Sequence, residues 1–122
     1  MIQFVHHAQL TVAPEQEDAA RTFYCDFLGF ETIPKPDSLA GRGGFWCQLG
    51  SFQIHIGIEK NPVNHTTKAH LAYAVDDLTY WREKLSSAGI NIQESVAIPG
   101  MQRFECRDPF GNRMEFLELE TQ

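Results

Sequence analysis

Four residues of this chain are of types that bind metal ions, and they recur at matching places in two related stretches. His7-Ala8-Gln9-Leu10-Thr11-Val12 is echoed by His70-Leu71-Ala72-Tyr73-Ala74-Val75. Phe52-Gln53-Ile54-His55-Ile56 is echoed by Asn112-Arg113-Met114-Glu115-Phe116. His7 and His70 thus hold one position of a repeat, and His55 and Glu115 hold another. A pseudo-two-fold arrangement of the repeats would bring all four donors to one axis. Imidazole and carboxylate together suit Zn, Ni, Co, Fe or Mn. His, His and Glu alone match the facial triad of non-haem Fe(II) oxygenases, and His55 would make a fourth ligand. A six-coordinate ion would then keep about two open places, where a substrate with neighbouring oxygens could chelate. The ion would act as a Lewis acid and stabilise an enediolate or catecholate.

Each residue also has an ordinary explanation. A lone histidine at a strand end, with His6 beside it, would be a surface group. Strand parity separates the two, and the match to His70 favours His7 as a ligand. Glu115 could be a solvated carboxylate like Glu118 or Glu120. His55 could serve as a second-sphere group or a base instead of a ligand. Arg42 and Arg103 could hold an anionic substrate, but paired surface charges explain them nearly as well. Phe45, Trp46 and Phe104 could line a cavity or fill the core, with the core favoured for aromatics in strands, and His65 reads as a solvated linker residue.

The elements that must position these residues follow from periodicity. Alternation predicts a strand over roughly 3–12, with Ala8, Leu10 and Val12 on one face and His7, Gln9 and Thr11 on the other. A helix follows, with an apolar stripe of Ala20, Phe23, Tyr24, Phe27 and Leu28, ended by Gly29. A short strand at about 30–33 leads into a Pro- and Gly-rich loop over 34–44. The glycines of that loop do not make a phosphate loop, since no lysine-serine pair or helix start follows. Phe45–Leu49 and Phe52–Ile58 read as a hairpin. In the second half, a strand at His70–Val75 precedes a helix capped by Asp76 or Asp77, with Leu78, Trp81, Leu85 and Ala88 on one face. A short strand at Ile90–Glu94 and a hairpin of Arg103–Arg107 with Arg113–Leu119 complete it. Each half is strand, helix, then three strands. The expected fold is α+β: two paired βαβββ modules, at about 1–60 and 69–122, in one domain. They would form a curved mixed sheet around a concave site, with helices outside.

Composition narrows the partners. A formal net charge of −6 argues against nucleic acid, because phosphate binding needs a basic patch. No apolar run is long enough to span a bilayer. The first residues do not read as a signal peptide, so a cytoplasmic location is expected. Cys25, Cys47 and Cys106 are odd in number and widely spaced, which argues against a disulfide framework or thiolate zinc site. Cys47 and Cys106 read as buried strand thiols.

Phe23-Tyr24-Cys25-Asp26-Phe27-Leu28-Gly29-Phe30 and Asp108-Pro109-Phe110-Gly111-Asn112-Arg113-Met114-Glu115 carry a further signal. With the two His-led strands, they make the chain resemble the vicinal oxygen chelate superfamily. That superfamily includes glyoxalase I, fosfomycin-resistance proteins, extradiol dioxygenases and bleomycin-resistance proteins. The resemblance implies a divalent metal in a concave sheet, with ligands matching His7, His70 and Glu115. The fourth position, Glu in glyoxalase I, is His55 here, which keeps a donor and changes its charge. Bleomycin-binding members lack the metal set. A ligand carboxylate can be displaced to act as base in glyoxalase-type chemistry, which makes Glu115 the candidate catalytic group. The resemblance also implies a homodimer. The expected function is a metal-dependent, glyoxalase-like enzyme acting on a small oxygenated molecule through an enediolate-type intermediate. The alternatives are an extradiol-type ring-cleaving dioxygenase and a non-catalytic drug- or metabolite-binding protein.

Overall fold

The computed structural model describes residues 1–121. The chain divides into two compact units, Met1–Pro62 and the chain from Val63 on. The class is α+β, built from two four-stranded mixed sheets.

In the first unit the strands are β1 (His7–Val12), β2 (Glu31–Ile33), β3 (Phe45–Leu49) and β4 (Phe52–Ile58). Their order is β1-β4-β3-β2, with β1 parallel to β4 and the other pairs antiparallel. β1 is shorter than alternation suggests. Its register begins with His7 opposite Gln53, near the start of β4, and the His6 carbonyl before it accepts from the Gln53 N–H at 3.3 Å. The first helical region is not one regular helix. A 3₁₀ turn (Pro14–Gln16) leads into α1 (Glu17–Arg21), which widens into a π-helical segment (Thr22–Phe27). The Leu28 N–H donates to the Phe23 carbonyl across five residues, and Gly29 ends the segment at φ 85°. The wider turn still buries Ala20, Phe23 and Tyr24. They pack in a core with Val12, Phe45, Cys47, Ile54 and Ile56. Such burial contributes about 1.5–3 kcal/mol for each large side chain. The loop before β3 is not wholly irregular, since Asp37–Arg42 forms 3₁₀ turns.

The second unit repeats the order with β5 (His70–Ala74), α2 (Leu78–Ser87), β6 (Gln93–Glu94), β7 (Met101–Arg107) and β8 (Arg113–Leu119). Its sheet runs β5-β8-β7-β6, with β5 parallel to β8. Asp77 caps α2 by accepting from the Tyr80 N–H at 3.0 Å. Glu118 is not a free surface carboxylate: it accepts from the Leu78 N–H at 2.8 Å. An anion there opposes the positive end of the helix dipole. Trp81 of α2 lies over Phe116, and Phe104 stacks on Phe116 at 5.4 Å, so the helix covers one sheet face. The asparagine and aspartate of the last turn fold it tightly. Asp108 accepts from the N–H groups of Phe110 and Asn112 at 2.9 and 2.8 Å.

Candidate metal centre

Parallel pairing of the first and last strands of each unit decides which side chains meet. In the second unit Ala72 of β5 lies opposite Glu115 of β8, which puts His70 two residues away on the same face. The His70 Nε2 lies 3.0 Å from Glu115 Oε1. The other ring nitrogen, Nδ1, lies 2.9 Å from the Lys68 carbonyl. A carbonyl can only accept, so Nδ1 carries a hydrogen. That leaves Nε2 to present a lone pair to a carboxylate oxygen unless it also holds a proton or shares a cation. Anchoring one imidazole N–H on a backbone carbonyl is the usual way to aim the other nitrogen at a metal. Two donors about 2.1 Å from an ion and at right angles would sit roughly 3.0 Å apart, so the pair fits a divalent ion.

A third acidic group stands beside them. Glu105 of β7 faces Glu115 in the antiparallel register. His70, Glu105 and Glu115 can each offer a donor atom within 4.8 Å of the others, the one such group of three among the described residues. Two arginines balance the carboxylates. Arg113 binds Glu105 through Nε at 2.9 Å and through Nη2. The Arg103 Nη1 lies 3.2 Å from Glu105 and 3.5 Å from Glu115, while its Nη2 donates to the Val96 carbonyl at 2.7 Å. The Arg113 hydrogen bond holds the Glu105 carboxyl below its ordinary range, against the opposing effect of burial. Arg103 is therefore an internal ion-pair residue rather than a free anion-binding cation.

In the first unit His55 is buried and His7 exposed. Their rings stack, with centroids 4.1 Å apart and planes 14° from parallel. Trp46 stacks on His55 at 3.9 Å and 5°. The His55 Nε2 meets Gln53 Oε1 at 2.9 Å. Burial, then the neighbouring His7 and His6, pushes the His55 pKa down to about 4. The ring is therefore neutral near pH 7, as a metal ligand must be. The donor chemistry suits an ion, but the stacking does not. A ring nitrogen's lone pair lies in the ring plane, so two nearly parallel, stacked rings cannot both aim at one shared ion. His7, exposed at the start of its strand, would have to turn off His55 to join it in a ligand set.

Sequence reasoning thus named His7 and His55, which meet in one unit, and His70 and Glu115, which meet in the other. It missed Glu105 and, for Trp46, favoured the core over the cavity wall where the residue stands. A signal for Glu105 was present: Arg103, Glu105 and Arg107 alternate with Phe104 and Cys106, which sets the three charges on one face of β7. Two cavities flank these groups. One of about 570 Å³ lies beside His7, Trp46 and His55. Another of about 480 Å³ lies beside Glu105, Arg107 and Arg113. Cys47 and Cys106 are both buried, as expected of strand thiols.

Comparison with known proteins adds to this. A family model described as the Glyoxalase/Bleomycin resistance protein/Dioxygenase superfamily matches residues 5–116. The chain is 39% identical to a glyoxalase family protein from Bacillus anthracis, with a TM-score of 0.87 and 98% of each chain covered. A lactoylglutathione lyase from Agrobacterium tumefaciens shares the fold at 19% identity and a TM-score of 0.70, covering 97% of this chain and 95% of that one. So does TnmS3, an antibiotic binding protein from Streptomyces sp. CB03234, at 17% identity and a TM-score of 0.75, with 98% of each chain covered. No match was found among curated proteins.

Proposed function

Because the chain belongs to the glyoxalase/bleomycin resistance protein/dioxygenase superfamily, we propose that it is a metal-dependent, glyoxalase-like enzyme for a small substrate with two neighbouring oxygens. One observation carries this reading: His70 is anchored through Nδ1 and turns Nε2 onto the buried Glu115 at 3.0 Å. His70 and Glu115 would hold the ion in the second unit, and His55 with a reoriented His7 would offer donors in the first. When bound, a divalent ion would polarise the two substrate oxygens as a Lewis acid.

The chain's own groups supply the rest. Glu115 is 7% exposed, so its carboxylate acts in a site with little water and its charge is felt strongly. Glu115 would take a proton at Oε1 from the carbon that bears one of the two substrate oxygens and return it to the adjacent carbon that bears the other. Arg103 stands 3.5 Å from Oε2 and is itself held by the Val96 carbonyl. It would keep the carboxylate in place while Oε1 leaves His70. Gln53 orients His55 through Nε2.

A second reading, a binding protein that holds a drug or metabolite without turning it over, has its own support. The two arginines already balance Glu105 and Glu115 in charge, so the second unit does not require an ion to be electrically satisfied. Ring-cleaving dioxygenase chemistry would use the same donors with Fe(II). We also propose a homodimer, for which the exposed Met1, Ile2, Phe4 and Val5 are suitable contact residues.

Elemental analysis of protein purified without added metal tests the reading. About one divalent transition metal per site is expected, and His70→Ala and Glu115→Ala should each release it while the fold persists. Unchanged occupancy in both variants would remove the assignment. Isomerisation of a hemithioacetal then supports the glyoxalase-like reading. Oxygen uptake with catechols would replace it with the dioxygenase. Binding with neither activity would replace it with the sequestering protein.

A further inference from the structure

The cavity of about 570 Å³ in the first unit has a charge pattern opposite to that of the chain. The sequence holds 16 acidic and 10 basic residues. Yet none of the residues lining this cavity is acidic, while Lys35 and Arg42 both line it. Its other walls include His7, Gln9, Trp46 and Gly57. Gly57 matters because a Cβ there would lie 2.6 Å from the Gln9 amide nitrogen, so its absence leaves Gln9 its place beside the cavity.

Among the described residues neither cation forms an ion pair. Lys35 is half-buried and donates from Nζ to the Gly43 carbonyl at 2.5 Å. That uses one of three ammonium donors and no countercharge. Arg42 is exposed at the end of the 3₁₀ turns. Two carboxylates of the first unit already have partners: Glu17 accepts from the Gly44 N–H at 2.8 Å and lies 3.8 Å from Arg21, and Glu59 accepts from Thr11 at 2.9 Å. The loop that carries both cations is also held in shape. Pro34 and Pro36 restrict it, Lys35 ties it to Gly43, and Gly44 ties it to α1. Cationic walls on a fixed loop, in a chain that otherwise repels anions, focus attraction on an anionic ligand.

We propose that this cavity binds an oxyanion carried by the substrate, through Lys35 and Arg42. The substrate class is then a small organic acid, carboxylic or phosphoric, whose neighbouring oxygens would meet the metal. The assignment of those oxygens rests on the metal-dependent reading above; the preference for an anion does not.

Calorimetry on the protein as purified, loaded with zinc, separates the two. The probes are 3,4-dihydroxybenzoate against 3,4-dihydroxybenzamide, and benzoate against benzamide. The acid of each pair should bind roughly tenfold tighter than its amide, the gap narrowing as salt rises. Arg42→Glu, at an exposed position, should abolish the preference, and Lys35→Met with Arg42→Met should reduce it to within about twofold. Removing the zinc should remove the advantage of the dihydroxy acid over benzoate and leave the benzoate-to-benzamide gap intact, so failure of the metal reading shows there alone. Phenyl phosphate against benzoate identifies the favoured oxyanion. Equal binding of acid and amide by the unmodified protein, or a preference that survives Arg42→Glu, overturns the proposal.

Discussion

Trp46 lies flat on His55, ring centroids 3.9 Å apart and planes within 5° of parallel. His7 stacks on the same imidazole from the β1 side, so His55 is enclosed by rings and 5% exposed. Burial is the main reason its pKa falls from 6.5 to about 4, with His7 and His6 adding repulsion. In the unfolded chain the ring protonates near 6.5; in the folded chain it stays neutral until about 4. The unfolded state therefore binds the extra proton in that window, and stability falls as pH drops through it. Metal-free protein should lose on the order of 2–3 kcal/mol between pH 6.5 and 4 through this residue. Urea unfolding at pH 7.5 and 5 should show the loss, and His55→Gln should flatten it. An imidazole NMR titration placing His55 near its ordinary value would remove the basis of the prediction.

Glu105 shows the same sign at lower pH. Its pKa is depressed, first by the Arg113 hydrogen bond, so its contribution is present above the ordinary carboxylate value and is lost as pH falls through the folded value. Both partners are largely buried, with the Glu105 side chain 13% and the Arg113 side chain 25% exposed. Glu105→Gln should therefore cost about 3 kcal/mol at pH 7, because it leaves Arg113 with no carboxylate. At low pH the unmodified protein and the variant should converge. Replacing Glu105 and Arg113 together by Gln and Met should recover part of the loss, which a double-mutant cycle measures.

The arrangement that gathers these groups was largely legible in the sequence. Alternation in Phe52–Ile58 set His55 apart from Ile54 and Ile56, and the observed register places it between β1 and β3 on the face with His7 and Trp46. Repeat matching likewise led to His70 and Glu115, now seen across β5 and β8. What stayed hidden depends on distances between strands rather than patterns along them. Nothing along β3 distinguishes Trp46 from the buried Phe45; only its place opposite His55 does. Glu105 reads as an ordinary strand charge until β8 brings Arg113 and Glu115 beside it. The first helix misled in another way. Its apolar spacing fits an α-helix, yet a bond across five residues at Leu28 widens the turn in which Tyr24 is fully buried.

The three thiols should differ in reactivity. Burial drives Cys47 and Cys106 up to about 12, the former also raised by Cys25 and the latter by Asp108 and Glu105. A thiolate is the reactive form, so neither should react in the folded protein near pH 8. Cys25 is only half-buried, with its Sγ 3.2 Å from the Thr32 hydroxyl and 3.8 Å from the Cys47 sulfur. A chromogenic disulfide reagent should find one thiol per native chain and three in denaturant. Cys25→Ser should abolish the native reaction. Rapid labelling of Cys106, located by peptide mass analysis, would contradict the argument.

Two glycines with positive φ separate backbone preference from steric need. Gly50 turns the β3–β4 hairpin at φ 59°, and a Cβ there would meet nothing within 4 Å. Its replacement by alanine should cost only the left-handed backbone penalty, about 1–2 kcal/mol. Gly44 has φ 81°, and its Cβ would fall 2.2 Å from the Ile56 carbonyl oxygen. That oxygen belongs to the β4 backbone and cannot swing away as a side chain would. Gly44→Ala must therefore displace the loop from the strand, break the Gly44 N–H bond to Glu17, or both. A loss of roughly 3 kcal/mol or more follows, at least twice that of Gly50→Ala. The same shift would move the loop carrying Lys35 and Arg42, so ligand affinity in the adjoining cavity should fall with stability in the Gly44 variant and hold in the Gly50 variant. Urea unfolding of the two variants, paired with benzoate binding, measures both effects; equal stability losses would show that the close approach at Ile56 carries no energetic weight.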